Sequence, residues 1–474
     1  MHWTSVVWSP NVAAMSSTTE SALEWEGHPR GSREYKRLVA ALLFAGIATF
    51  AQLYSVQGIL PLIASSLAIT PSQSSLAVGL ATVGVAVSVL PWSVVADRIG
   101  RVRAMSISVV TATVLGLIVP LSSSLPVLLS IRFFEGAALG GLPAIAIAYL
   151  SEEVHRKHTA LAAATYVSGT TLGGLLGRIV AGPVAEFTNW RIGTLTVSVI
   201  AAVAAALFLL LAPKPRRLLG RVSDGPPLSA RLWANLREPG MLALYAQGFL
   251  LMGGFVAIYN FLGFRLEGVP FGLPQSLISL IFFAYLSGTV SSRVAGLLAV
   301  KRGRGPVLAG STVVMIAGVA LTISSNLVVI LVGLVVLTIG FFAAHAIASG
   351  WTGQRAIVGR AQATSLYNLF YYGGSSVVGW FGGVIYQQFG WTAMASFVMG
   401  LAVLAAVIMR VAGSDRSNER DRQRHDGNAA DRDHQQRDDA SAIPSLLGAR
   451  SSGHEQNEPH AHRRDGDRNR QRDH

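Results

Sequence analysis

A chain of 474 residues that is 51% hydrophobic and 13% charged is too apolar for a water-soluble globule of that length. Its net charge of +13 does not indicate a nucleic-acid partner, because the basic residues fall in short segments between apolar runs rather than gathering on one polar face. With no cysteine, a disulfide framework, a thiol nucleophile and a thiolate metal site are excluded, and the composition points to an integral membrane protein in contact with the lipid bilayer.

The first residues, MHWTSVVWSPNVAAMSS, lack a basic segment followed by an apolar one, so no cleaved signal peptide is expected and the first spanning helix should direct insertion. On the sequence alone translation can start at Met1 or Met15. Residues 1–37 are expected to be a disordered cytoplasmic segment. Crossing an apolar core of roughly 30 Å takes about 20 helical residues, and twelve runs qualify: about 38–64, 74–96, 104–121, 125–150, 161–186, 192–212, 241–265, 276–298, 306–324, 327–349, 364–386 and 391–411. All should be helices, because lipid offers backbone groups no partner and the runs lack the alternation of barrel strands.

The joining segments carry a signal of their own. Segments 97–103, 151–160, 213–240, 299–305 and 350–363 hold most of the Lys and Arg, whereas the other side has only Arg191 and Arg265. The positive-inside rule then puts both termini in the cytoplasm of a multi-pass protein of the bacterial cytoplasmic membrane. The longest internal loop, 213–240, with PKPRR, DGPP and REPG, separates an amino-terminal six-helix bundle (38–212) from a carboxy-terminal one (241–413). An internal repeat supports the cut: DRIGR at 97–101 is echoed by VKRGR at 300–304, offset 203, and NWR at 189–191 by GWT at 390–392, offset 201. Two similar halves in one orientation are a transporter architecture with the substrate site between them. The last segment, 414–474, carries 12 Arg, 13 acidic residues and 6 His, and such a mixed-charge, low-complexity tail is expected to be disordered.

SVVADRIGRVRA (93–104) resembles the loop motif that the major facilitator superfamily carries between its second and third helices, with Ser93, Val95 and Val102 departing from the pattern. SIRFFEGAALGG (130–141) is similar to that family's fourth-helix motif, with Arg132 as its arginine, Glu135 in place of glutamine and Gly136 as its first glycine. GTTLGGLLGR (169–178) looks like the fifth-helix antiporter signature, with Gly174 for its proline and Arg178 for its last glycine. Stretches such as FAGIATFAQLYSVQGILPLI, YLSEEV and GFFAAHAIAS extend the likeness over 38–411, to YnfM-type bacterial inner-membrane transport proteins.

What the resemblance implies is an all-α twelve-helix fold and a secondary transporter, monomeric, working by alternating access. It implies proton-coupled export of a small molecule, with the proton gradient as energy source and no cofactor or metal. It also implies a conformational latch of Asp97, Arg98, Gly100, Arg101 and, in the second half, Arg304. For Gly169, Gly173 and Gly177, close helix packing is an equally direct reading. Import by symport, uniport of sugars or organic anions, and a transporter-like sensor whose tail is the output module stay open at this point. An enzyme has no support: no phosphate-binding loop, metal-ligand spacing or activated nucleophile is present.

Depth sorts the charged residues within the apolar runs, where an ionisable group is costly unless paired or facing a wet cavity. Outside the tail only one acid, Glu135, lies deep, one helical turn from Arg132, which makes Glu135 with Arg132 the candidate for proton coupling and a static ion pair the competing reading. Arg132 and Arg178 would give a pocket positive charge suited to an anion. His345 could titrate near neutral pH, although a packed histidine serves as well, and Arg293 reads as a latch or interface residue. Gln52, Tyr54, Gln57, Gln247, Asn260, Tyr285, Asn368 and Tyr371 are the remaining candidates for pocket lining.

Overall fold

The computed structural model describes residues 27–213 and 227–441, with side chains placed through 412. Among the described residues the only β contact is an isolated bridge between His28 and Val154. The amino-terminal half comprises α1 (Arg33–Leu53), a 3-10 turn (Gln57–Ile59), α2 (Leu60–Leu67), α3 (Pro71–Ile99), α4 (Arg101–Ile118), α5 (Leu125–Leu139), α6 (Gly141–Glu153), α7 (Thr159–Phe187) and α8 (Trp190–Leu211). After α9 (Leu228–Arg237) the second half continues through α10 (Pro239–Glu267), α11 (Gln275–Leu280), α12 (Tyr285–Arg302), α13 (Arg304–Leu321), α14 (Leu327–Arg355) and α15 (Arg360–Ser441).

Among the described residues, ten stretches are long and apolar enough to cross a membrane, with Arg360–Ala412 counted once. That stretch is two helices joined at Gly390, whose φ of 78° ends the first arm. α7, 29 residues long and rich in glycine and threonine, completes the amino-terminal bundle against α1 and α8. Joining α1 to α2, α5 to α6 and α11 to α12 gives one helical segment for each of the twelve runs.

Three boundaries depart from expectation. Residues 27–37 are ordered, not disordered: the His28 N–H donates to the Glu153 carbonyl at 2.7 Å, and α1 starts at Arg33 because the Ser32 hydroxyl caps its first turn. The expectation for 1–26 lies outside the described residues. The linker 213–240 holds the amphipathic α9, a short helix that breaks up what reads as plain loop, while 214–226 lie outside. Of the tail from 414, the described backbone continues α15 as far as Ser441. Residues 442–474 lie outside the described residues.

Local chemistry explains where the helices begin and end. Thr70 and Gln73 form a capping box at the start of α3, and Asn189 and Asn326 cap α8 and α14. Gly100 (φ 94°, ψ 149°) and Gly303 (φ 86°, ψ 158°) adopt nearly the same left-handed-side conformation after α3 and α12, so the sequence repeat is also a structural one. Arg191 and Arg265, the two basic residues on the side poor in charge, have matching jobs. Arg191 donates to the Ser122 carbonyl and Arg265 to the carbonyls of Thr322 and Ser324, covering the ends of the third and ninth segments.

Glycine brings α7 and α1 into backbone contact. A Cβ at Gly169, Gly173 or Gly177 would sit 2.3, 2.5 or 2.3 Å from the carbonyl oxygens of Leu43, Ile47 and Ala51. This stripe is a packing surface. Gly173→Leu is expected to cost about 1–3 kcal/mol through overpacking, seen as a lower melting temperature in detergent; an unchanged melting temperature would show that α1 and α7 can separate freely.

The halves meet along one side. Among the described residues, their hydrogen bonds join Gln57 to Asn260, Ser72 to Gln387, Thr82 to Ser376, Gln275 to the Gly58 carbonyl, and Ser276 to Glu186. Every one of these lies toward the ends remote from the basic loops. Among the described residues, the hydrogen bonds between the halves thus hold the bundle together on the side away from the basic loops.

Candidate functional site

The first segment breaks between α1 and the Gln57–Ile59 turn, deep in the bundle, and a broken helix leaves carbonyls without partners. The Gln52 carbonyl accepts from the Ser55 N–H and hydroxyl, and that of Leu53 is met by Arg132. Its side chain is 0% exposed and donates to the Leu53 carbonyl at 2.6 Å, the Gln52 carbonyl at 3.2 Å and the Ala77 carbonyl at 3.0 Å, while Nη1 meets Glu135 Oε2 at 2.5 Å. One guanidinium thus ties the first, second and fourth segments, and Glu135, 1% exposed, balances its charge. Close backbone contact makes room for the pair: a Cβ at Gly136 would lie 2.0 Å from the Ala81 carbonyl oxygen. Across from the pair, a Cβ at Gly116 would approach Gln52 Oε1 at 2.5 Å and Glu135 Oε1 at 3.0 Å, and Gln52 Oε1 is buried without a hydrogen-bond partner.

Arg178 behaves differently. It is 3% exposed, and no carboxylate lies within ion-pair distance among the described residues. Its Nε donates to Gln57 Oε1 at 2.7 Å and its Nη1 to the Gly174 carbonyl at 2.6 Å. The guanidinium carbon stands 3.8 Å from the centre of the Tyr54 ring and 4.5 Å from that of Tyr285, a stacking that Arg suits better than Lys. Gln57 in turn donates to Asn260 Oδ1 at 2.7 Å, so a polar relay crosses from one half to the other through Arg178.

The two halves enclose a cavity of about 140 Å³ at this point, lined by Phe50, Tyr54, Thr170 and Arg178 from one side and by Phe255, Tyr285, Phe342 and Tyr371 from the other. The walls are aromatic and the single charge among the lining residues is positive. Oriented polar groups on an apolar, concave surface between domains are what a small-molecule site needs.

The remaining candidates sort by place. Tyr54, Tyr285, Tyr371 and Arg178 line the cavity, and Gln57 and Asn260 sit at its closed end. Gln52 turns away toward Thr113, with its amide 3.4 Å from that hydroxyl. Gln247 donates to the Ala405 carbonyl at 2.5 Å, and Asn368 is half-buried outside the cavity lining. Arg132 and Glu135 do not reach the cavity either; the pair is a brace beside it. His345 is packed, with Nδ1 3.0 Å from the Tyr367 hydroxyl and its ring 4.7 Å from that of Tyr371. Sequence reasoning missed Phe255 and Phe342, aromatic residues that look like any core residue until the two halves are placed face to face.

Among the described residues, the contacts of Asp97, Arg101 and Arg304 lie within their own halves. Asp97 is 52% exposed and pairs at 2.7 Å with Arg101, which also reaches Glu152 at 3.1 Å. Arg98 and Arg293 are exposed, and Arg304 donates to Gln354 within its own half.

Comparison with known proteins fits this geometry. The Major Facilitator Superfamily family model matches residues 42–357 and 270–451. The inner membrane transport protein YnfM of Escherichia coli (strain K12) is 37% identical over 379 residues, 80% of this chain and 91% of that protein. A cis,cis-muconate transport protein of Acinetobacter baylyi is 27% identical over 223 residues, 44% of this chain and 52% of that protein. In fold, the chain is similar to a bacterial homologue of the human lysosomal transporter Spinster, solved inward-facing and unoccupied, with a TM-score of 0.65 at 17% identity over 80% of this chain and 96% of that one. The chain belongs to the Major Facilitator Superfamily: it is a multi-pass membrane transporter with two helical halves and a small-molecule substrate, not an enzyme.

Proposed function

We propose that the protein exports a small organic anion from the cytoplasm in exchange for protons, by alternating access of the central cavity. The observation that carries this reading is Arg178, a buried cation with no carboxylate partner among the described residues, aimed into a cavity shared by both halves. A substrate carboxylate supplies the missing counter-charge, and the aromatic walls accept its apolar part. The distant relative named for cis,cis-muconate, a dicarboxylate, agrees with that class.

Electrical work favours export. One proton entering and one monoanion leaving move two charges in the favourable sense, worth about 4.6 kcal/mol at roughly 100 mV. The hydrogen bonds between the halves lie on the side away from the basic loops, and the positive-inside rule assigns those loops to the cytoplasm, which supports loading from inside. Asp97 and Arg101 would then engage the other half when the cytoplasmic side closes. Glu135 is the proton-carrying group of this proposal, since among the described acids it alone lies deep, and its Oε1 lies near the unpartnered Gln52 Oε1 across Gly116.

The test is efflux from proteoliposomes loaded with benzoate, a muconate-type dicarboxylate, a sugar or a cationic drug, under an imposed pH gradient and potential. Carboxylates should leave on an inside-negative potential with proton uptake, and Glu135→Gln should lose gradient-driven efflux while still binding the anion. Transport of the sugar or the cation with no competition by carboxylates would refute the substrate class, and intact coupling in Glu135→Gln would refute the proton site.

A further inference from the structure

The second half carries a groove on its outer surface, at a place whose counterpart in the first half is occupied by a large side chain. Its volume is about 670 Å³, and its lining runs along α12 from Ser287 to Arg302, with Val307 and Ser311 of α13 opposite and Gly340 of α14 as the floor. α12 and α13 each pack closely on α14 but touch one another little, so the gap between them opens outward.

The repeat offset of 203 pairs Ser291 with Ser88, Ser311 with Ser108, Gly340 with Ala137 and Ala295 with Trp92. In the first half Trp92 fills the corresponding space: its indole N–H donates to the Ala137 carbonyl at 2.8 Å, and Trp92 and Ser108 both crowd the position of a Cβ on Gly141. In the second half the same place holds Ala295, and the indole's volume is left open. A vacated side-chain position in a duplicated scaffold therefore contributes part of the groove.

We propose that this groove holds one acyl chain of an anionic phospholipid, with the headgroup phosphate at Arg302. The lining is almost wholly apolar, and Val290, Val294 and Leu298 line its length. Fifteen residues of helix rise about 22 Å, longer than the roughly 15 Å of hydrocarbon in one leaflet, so one chain can lie in it end to end. The end that meets the membrane surface is basic: Arg302 is exposed at the groove mouth, beside Lys301 and Arg304 in sequence. A guanidinium at headgroup level selects phosphate monoanions over zwitterions. The contact with α12, α13 and α14 makes the lipid a wedge between segments of the second half.

The experiment is native mass spectrometry of the full chain in detergent, with added phosphatidylglycerol or phosphatidylcholine, alongside melting temperature. The wild type should retain one phosphatidylglycerol at least five-fold more strongly than phosphatidylcholine. Ala295→Trp, which restores the residue of the first half, should lose that lipid and melt at the same temperature or higher in lipid-free detergent. Arg302→Gln, a change at an exposed position, should reduce phosphatidylglycerol retention at least five-fold and leave phosphatidylcholine unchanged. Equal retention of the two lipids by the wild type overturns the proposal. So does undiminished phosphatidylglycerol binding in a folded Ala295→Trp; if that variant does not fold, undiminished binding in Arg302→Gln overturns it alone.

Discussion

Arg132→Leu is expected to destabilise the protein by about 3–5 kcal/mol, the usual cost of stripping one member from a buried ion pair, and to be visible as loss of folded material on size exclusion in detergent. Two deficits add. Glu135 is left as a carboxylate without its cation, and the carbonyls of Gln52 and Leu53 lose a donor where α1 breaks. The double variant Arg132→Leu/Glu135→Leu separates the two. Removing both charges should recover the ion-pair share, since apolar replacement of a whole buried pair is often neutral, while the helix-end share persists. Full recovery in the double variant would mean that the guanidinium does no work at the break. No recovery would mean that the pairing with Glu135 carries little of the cost.

That result bears on how much of this molecule can be read from its residues. SIRFFEGAALGG drew attention because two charges in an apolar run need a cause, and the charge balance between Arg132 and Glu135 one turn apart was legible. The break in the first segment was not, because FAQLYSVQGILP contains no residue that forbids helix before Pro61; the break is stabilised from outside, by a side chain 79 positions away in the chain. The glycines at 169, 173 and 177 announced close packing and deliver it against α1. Arg178 was visible as a deep cation, but its lack of a carboxylate partner emerges only when Gln57, Tyr54 and Tyr285 are seen around it. Pocket lining was legible in part for the same reason: Tyr54, Tyr285 and Tyr371 face the cavity, whereas Gln52, Gln247 and Asn368 have comparable polarity and comparable depth but face other helices. Helical position fixes a residue's height in the membrane; which neighbour it faces depends on rotation about the axis, which weakly amphipathic, all-round apolar helices do not record.

Arg178→Leu is expected to leave a folded protein that no longer transports organic anions. A charge-assisted hydrogen bond to a buried partner is worth about 1.5–3 kcal/mol, so anion affinity should fall roughly 10- to 150-fold, and transport at substrate levels near the wild-type KM should be largely lost. The fold should survive because Arg178 lacks an acidic partner that its removal would strand: Gln57 keeps its bond to Asn260, and the Gly174 carbonyl keeps its place in the helix of α7. Arg178→Lys sharpens the test. Lysine restores the charge, yet it offers a point donor in place of a planar fork and cannot stack on Tyr54 while holding Gln57. It should therefore recover binding in part, with a raised KM, and discriminate poorly between aromatic and aliphatic carboxylates, because the guanidinium plane that sets the orientation between the Tyr54 and Tyr285 rings is gone. If Arg178→Leu transports anions as the wild type does, the cavity charge is only a strut between halves, and anion recognition must rest on other groups of the cavity.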